Sequence, residues 1–264
     1  MVPSAVRHPL RNRLTYIYDQ LCNCPQGQEA KAKAEAERII SHAEEQRQFQ
    51  LSRLTRAGLI GKLQHCRFDN FKPRNNWPGA TDAKGRVIKY LQAYLDNRLI
   101  NEAGNPAPFL LMHGHWGTGK SHLAAATLHE AMDAGKQVFF RVWPEYLQRL
   151  QNSWSSRDNA DAEHEQDIIK ELQTGDIVCI DDLDKRKPSE WVRGVLYPAI
   201  NYRYNNGLPT IITLNYGPGD NDPTMQGQSI LTRYLGVAVL DRLLGDTYDI
   251  IDFNGSSYRS GIKF

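Results

Sequence analysis

Long apolar runs are missing from this chain. No stretch approaches the roughly 18 to 20 consecutive apolar residues that a membrane span needs, and the opening MVPSAVRHPLRNRLTY lacks the apolar core of a secretory signal. No membrane partner and a cytoplasmic location are therefore expected. An excess of one charge is missing too: 32 Lys and Arg stand against 30 Asp and Glu, a formal net charge of +2. Any contact with nucleic acid has to come from a local basic patch rather than a global field. Cysteine is scarce, with Cys22, Cys24, Cys66 and Cys179 the whole supply. A reducing compartment argues against disulfides, and Cys179 sits in an apolar run where it reads as a small buried side chain. Cys22-Asn23-Cys24 is tighter than the usual C-x-x-C spacing, and His65-Cys66 downstream supplies no second spaced pair, so zinc is not expected. Internal repeats and low-complexity tracts are absent as well.

What the chain does hold is enough apolar sequence, 41% of 264 residues, for one main domain and a smaller appendage. From Gln26 to Leu59 it is rich in Ala, Glu, Gln, Lys and Arg, with glycine only at the flanks (Gly27, Gly58), a composition of high helix propensity. Ile39, Ile40, Phe49, Leu51 and Leu54 give this helix only a thin apolar stripe, so it needs a surface to pack on, in this chain or another. The stretch FDNFKPRNNWPGATDAKG, Phe68 to Gly85, is rich in Pro, Gly and Asn and reads as a boundary. The expected organisation is a helical, partner-binding N-terminal arm over residues 1–67 and a main domain over 68–264. GRVIKYLQAYLDNRLI then predicts an amphipathic helix, with Val87, Tyr90, Leu91, Tyr94, Leu95 and Leu99 on one face. Beyond it, short apolar segments alternate with helical ones. The candidate strands are Phe109–His113, Val138–Val142, Ile177–Ile180, Thr210–Leu214 and Tyr248–Phe253. Several are apolar throughout, which suits an α/β fold with a parallel sheet flanked by helices on both faces.

The chemistry starts in HGHWGTGKSHLA. Gly114, Gly119, Lys120 and Ser121 satisfy G-x-x-x-x-G-K-[ST], with the apolar FLLMH before them and the helical SHLAAATLHEAMDAG after. Strand, glycine loop and helix together make a phosphate cradle: glycines let backbone N–H groups curl around phosphate oxygens, and the helix N-terminus adds positive potential. The expected nucleotide-binding loop is Gly114, His115, Trp116, Gly117, Thr118, Gly119, Lys120, Ser121 and His122. In it Lys120 serves the β- and γ-phosphates and Ser121 holds Mg2+. His115 and Trp116 occupy variable positions and are assigned no chemistry of their own. DIVCIDDLD, Asp176 to Asp184, is an apolar strand ending in paired acids. Beside such a loop, Asp181 is expected to hold Mg2+ with Ser121, and Asp182 to orient the attacking water. TIITLNY ends a further strand in Asn215, whose amide could reach a γ-phosphate or its attacking water; the rival reading is a plain strand-end residue that starts a turn. The run Lys185, Arg186, Lys187, with Trp191 and Arg193 following, could track phosphates and stack a base of single-stranded nucleic acid. Trp191, Val195, Ala199 and Tyr202 also fall at helical spacing, which points to core packing instead.

These elements in this order resemble the AAA+ ATPases, and more narrowly the DnaC/DnaI-type loaders of the replicative helicase and their relative, the IstB transposition ATPase. The resemblance runs from about Phe68 to the C-terminus. It rests on RFDNF, the phosphate loop, IVCIDDL, WVRGVLYPAINYRYNNGLPTIITLN, VLDRL and the terminal GSSYRS. It implies an AAA+ P-loop NTPase that binds ATP and Mg2+ and hydrolyses ATP slowly, in step with assembly or DNA. By the same resemblance Asn215 matches sensor 1, Arg242 the arginine finger that reaches into a neighbour's site, and Arg259 a sensor-2-like arginine. The implied partners are a DnaB-type replicative helicase gripped by the helical arm, single-stranded DNA, and further copies of the chain. Asp182 departs from the longer Glu of many AAA+ enzymes, which suits a switch better than a motor. CNCPQG departs from the two cysteine pairs of many loader-like sequences, so a zinc module is not carried over. An IstB-like accessory ATPase acting on double-stranded DNA, and a nucleotide-dependent scaffold with negligible hydrolysis, are the alternatives.

Overall fold

The computed structural model describes residues 25–72, 79–101, 103–155, 164–221 and 229–255. The chain divides into two compact units between Leu54 and Thr55. The alanine- and glutamate-rich stretch forms helix α1, Pro25–Ala57, and Gly58 ends it with a φ of +78°, its N–H bonded to the Thr55 carbonyl at 3.0 Å. Within the first unit the thin stripe is solvent-facing: Ile39, Ile40 and Phe49 are 60%, 58% and 62% exposed. That unit is held by local contacts, such as Arg38 on Glu35 one turn back and Arg53 over the Phe49 ring.

The second unit opens with the last turn of α1 and a short 3-10 turn, Gly61–His65, and buries Ala57, Leu59, Cys66, Phe68 and Phe71. Helix α2 follows, Gly79–Leu95. It starts inside the stretch whose glycines and prolines read as a linker, because Ala80 and Ala83 extend the buried face of Val87, Tyr90 and Leu91 back by two turns. Leu95 and Ile100, by contrast, are exposed.

Five strands follow: β1 Phe109–Gly114, β2 Val138–Val142, β3 Ile177–Asp181, β4 Thr210–Thr213 and β5 Thr247–Phe253. All pair in parallel, in the order β2-β3-β4-β1-β5. Helix α3, Lys120–Asp133, lies on β2, β3 and β4, and α2 lies on α3 and β5. The opposite layer holds α4 Trp143–Ser155, α5 Glu165–Thr174, α6 Glu190–Asn205, α7 Ile230–Leu235 and α8 Val237–Gly245. Phe109, Leu111, Phe139, Val178, Ile180 and Ile212 point into one core with Trp143, Leu147, Leu172, Leu196 and Leu243 of this layer. Alternate strand residues face the other way, so strands covered on both sides are apolar throughout. Trp191 packs against the first core, and its ring meets Trp154 edge-on at 5.6 Å. The buried face of α6 is Val192, Leu196, Ala199, Ile200 and Arg203, while Tyr202 is exposed.

The strand order is what builds the site. β4 lies between β3 and β1, so the loops leaving the carboxyl ends of β1, β3 and β4 emerge side by side, where open α/β sheets bind ligands. Among the described residues no helix is long and apolar enough to cross a membrane.

Candidate nucleotide site

The loop after β1 turns on three glycines with positive φ, Gly114, Gly117 and Gly119. Gly114 and Gly119 hold φ of +122° and +102°; a Cβ on Gly119 would come within 2.6 Å of Phe71 Cε2, and one on Gly114 within 2.6 Å of the Phe253 carbonyl oxygen. Lys120 begins α3 and its Nζ donates to the loop's own carbonyls, Gly114 at 2.6 Å and His115 at 2.8 Å. Thr118 Oγ1 closes the loop on the His115 carbonyl at 2.7 Å. Burial pulls the Lys120 ammonium down to about 8, although Asp182, Asp181 and Asp184 oppose that shift.

The acids sit opposite. Ser121 Oγ donates to both oxygens of Asp181, at 2.9 and 3.0 Å. Thr213 Oγ1 donates to Asp181 Oδ1 at 2.6 Å and accepts the Asp182 N–H at 2.8 Å. Burial and the neighbouring charge of Asp182 push Asp181 up to about 6, against the hydrogen bonds from Thr213 and Ser121. Asp182 turns the chain with a φ of +56° and pairs with Lys185. Asp184, only 3% exposed, accepts from Asn215 N at 2.6 Å, Tyr216 N at 2.9 Å and Asn215 Nδ2 at 2.9 Å. Burial raises Asp184, and these donors pull it back.

Between these groups lies a cavity of about 340 Å³. One wall is Gly117, Gly119, Lys120 and Ser121, with Asp182, Lys185 and Asn215 beside them. The facing wall, Lys62, Leu63, Cys66, Asn70, Phe71 and Lys72, was not expected as part of the site. It is held there by the helix behind the loop: His122 Nε2 donates to the Arg67 carbonyl at 3.0 Å and His129 Nε2 to the Leu63 carbonyl at 2.9 Å. Asn70 stiffens it, accepting from Arg67 N at 2.9 Å and donating to the His65 carbonyl at 2.6 Å. The signal in the sequence was the pair Phe68 and Phe71 inside a polar, Pro- and Asn-rich stretch, apolar residues with no strand or helix to serve. Trp116, 55% exposed, stands at the cavity, set edge-on to His115.

The expected site residues thus divide. Residues of the glycine loop, Asp182 and Asn215 line one cavity, with Asp181 joined to it through Ser121. Arg242 is not among its lining residues. It lies on α8, over the rings of Tyr197 and Tyr204 at 5.1 and 5.5 Å, and donates to the Ala238 carbonyl at 2.8 Å. Lys187 is exposed and Arg186 half-buried on the loop after β3, neither lining the cavity. Arg259, Cys22 and Cys24 lie outside the described residues. Among those described, no cluster of three or more His, Cys, Asp or Glu could hold a metal. The hard oxygens of Ser121 and Asp181 are instead the donor type that Mg2+ takes in small number beside phosphate.

A parallel sheet in the order β2-β3-β4-β1-β5, a glycine loop closing on a lysine and serine, and an acid-tipped neighbouring strand define a P-loop NTPase of the AAA+ class. Residues 23–263 match the family of IstB-like ATP binding proteins, and the chain belongs to that family. It is 26% identical over 208 residues to the replicative helicase loader DnaC of Escherichia coli (strain K12), spanning 78% of this chain and 74% of that protein. To a protein of an insertion sequence in Mycobacterium tuberculosis it is 24% identical over 226 residues, 81% of this chain and 78% of that one. Its fold is similar to the crystal structure of the DnaC helicase loader, with a TM-score of 0.54 and 23% identity over 74% of this chain and 99% of that one.

Proposed function

We propose that the chain is an ATP-dependent loader that delivers a DnaB-type replicative helicase onto single-stranded DNA in the cytoplasm, with ATP binding and hydrolysis as its switch. The observation that carries the ATP half is the convergence of Lys120, Ser121, Asp182 and Asn215 on one cavity at the carboxyl edge of the sheet. The loader half is supported by relatives bearing that name across three quarters of the chain.

In this reading the loop amides and Lys120 bind the phosphates. Ser121 and Asp181 hold Mg2+, which neutralises phosphate charge when bound. Asp182 and the free oxygen of Asn215 accept hydrogen bonds from the attacking water. Lys120 leaves its loop carbonyls for the phosphates, and Asp182 exchanges Lys185 for water; both contacts are local and exchangeable. Arg242 acts on a neighbouring copy, because it lies away from its own cavity. A guanidinium supplied in trans stabilises the transferring phosphoryl group, so turnover follows assembly. Arg259, by the same resemblance, is a sensor-2-like arginine. Lys185, Arg186 and Lys187 meet DNA phosphates, and the helix of the first unit, with its exposed Ile39, Ile40 and Phe49, is the arm for the helicase. The packing of Trp191 against the core favours a structural role for that side chain over base stacking.

The second reading, an accessory ATPase of transposition on double-stranded DNA, is favoured by the family match and by the relative in an insertion sequence. Affinity capture with a DnaB-type helicase and with a transposase separates the two. Retention of the helicase, with Mg-ATP turnover stimulated by single-stranded DNA, is the expected result. Capture of the transposase alone, with preference for duplex DNA, sinks the loader reading, and failure to bind Mg-ATP at millimolar concentration sinks both.

A further inference from the structure

We infer that Asp184 is a positioning residue that decides which end of the Asn215 amide faces the nucleotide cavity. The inference rests on the ATPase reading above and adds a residue to it. An ionised carboxylate only accepts hydrogen bonds. The side-chain atom that Asn215 directs at Asp184 Oδ1, 2.9 Å away, is therefore its NH2 group. The amide is flat, so its oxygen points elsewhere. Asn215 Oδ1 is buried with no hydrogen-bond partner, and Asn215 lines the cavity with Lys120, Ser121 and Asp182. A buried acceptor left unpaired is costly, and in this position it suits the O–H of a water. The opposite orientation would offer NH2 to a phosphate oxygen.

Asp184 is built for that single task. It leaves the end of β3 and reaches the end of β4, where it takes the backbone N–H groups of Asn215 and Tyr216 at 2.6 and 2.9 Å. Those two bonds fix the backbone of Asn215, and the third fixes its side chain. A neutral amide at position 184 could donate as well as accept, so either face of the Asn215 amide would satisfy it. Only the carboxylate enforces one orientation. Asp184 touches no reacting atom in this scheme and acts wholly through Asn215.

The test is a double-mutant cycle on Mg-ATP turnover and Mg-ATP affinity in the full chain, with Asp184→Asn, Asn215→Leu and the pair. Asp184→Asn is expected to lower kcat by about tenfold and to leave the Mg-ATP Kd unchanged or tighter, since NH2 can then grip phosphate. Asn215→Leu is expected to lower kcat to a similar extent, and adding Asp184→Asn to it should have no further effect. A merely structural Asp184 would lower kcat by the same factor in both backgrounds, and that result overturns the inference, as does unchanged turnover in Asp184→Asn. On the unaltered chain, the Asn215 side-chain NH2 protons should exchange slowly by NMR with and without Mg-ATP. An NH2 group released on nucleotide binding overturns the inference even if Asp184→Asn does not fold. A wild-type chain that binds no Mg-ATP overturns the ATPase reading itself, whereas wild-type turnover with an insensitive Asp184 overturns the inference alone.

Discussion

Thr213 is fully buried at the end of β4, and its hydroxyl does two things at once. It gives its proton to Asp181 and takes the backbone N–H of Asp182. Thr213→Val keeps the shape and removes both bonds, leaving a partly buried N–H unpaired and a less supported carboxylate. The expected loss is about 1–3 kcal/mol in urea denaturation, with weaker Mg-ATP binding in calorimetry. Gly119 is constrained differently: its backbone is in the left-handed region and a methyl would strike Phe71. Gly119→Ala therefore strains the loop and displaces the wall that faces it. A rise of at least about tenfold in the Mg-ATP Kd is expected, and an unchanged Kd would mean that Phe71 does not form part of the site. Neither role was legible in the sequence. Thr213 reads as one more β-branched residue in TIIT, and the glycine motif names Gly119 without naming the ring that presses on it.

At the scale of elements, the sheet was legible and the walls around it were not. β1, β3 and β4 announced themselves as short, largely apolar runs because the core covers both faces, and their ends were marked by Gly114, Asp181 and Asn215. The start of α2 was hidden, since Ala80 and Ala83 are too small to stand out among glycines and prolines. The cavity wall from Lys62 to Phe71 was hidden for another reason: it is held by backbone carbonyls that any sequence possesses. The same applies to the edge of the sheet at β2. There Arg141 donates to Glu171 of α5 at 2.7 Å and to the carbonyls of Ala57, Phe140 and Arg56 at 2.9 Å, while Arg149 of α4 shares Glu171 at 3.0 Å. Burial works against the Glu171 charge, but the two arginines outweigh it and hold the carboxyl below its ordinary 4.5. Its stabilisation is then fully present above the unfolded value and is lost as pH falls through the lower folded one. Glu171→Gln should cost about 1–3 kcal/mol at neutral pH, and the gap from wild type should close as denaturation is repeated down to about pH 3. A gap that stays constant would show that the ionised form contributes nothing.

For the whole molecule, the residue that tests the proposed assembly is Arg242 of α8. Arg242 rests on Tyr197 and Tyr204 and is absent from the lining of its own cavity. The resemblance to AAA+ proteins implies its role, and its place away from the cavity of its own chain agrees with the proposed action in trans. Subunit mixing tests this without disturbing the fold of the site. Lys120→Ala subunits lose ATP binding but keep the arginine; Arg242→Ala subunits keep a complete cavity but lack the arginine. Each preparation alone should turn over little ATP. When the two are mixed in equal amounts and assemble at random, about a quarter of the junctions pair an intact cavity with an intact arginine. Turnover should rise above the sum of the separate preparations towards that fraction of wild type, and should fall again on dilution below the assembly threshold. Light scattering reports whether the mixture assembles. An assembled mixture with no gain would mean that Arg242 does not serve a neighbour, and hydrolysis would then have to be organised within each copy.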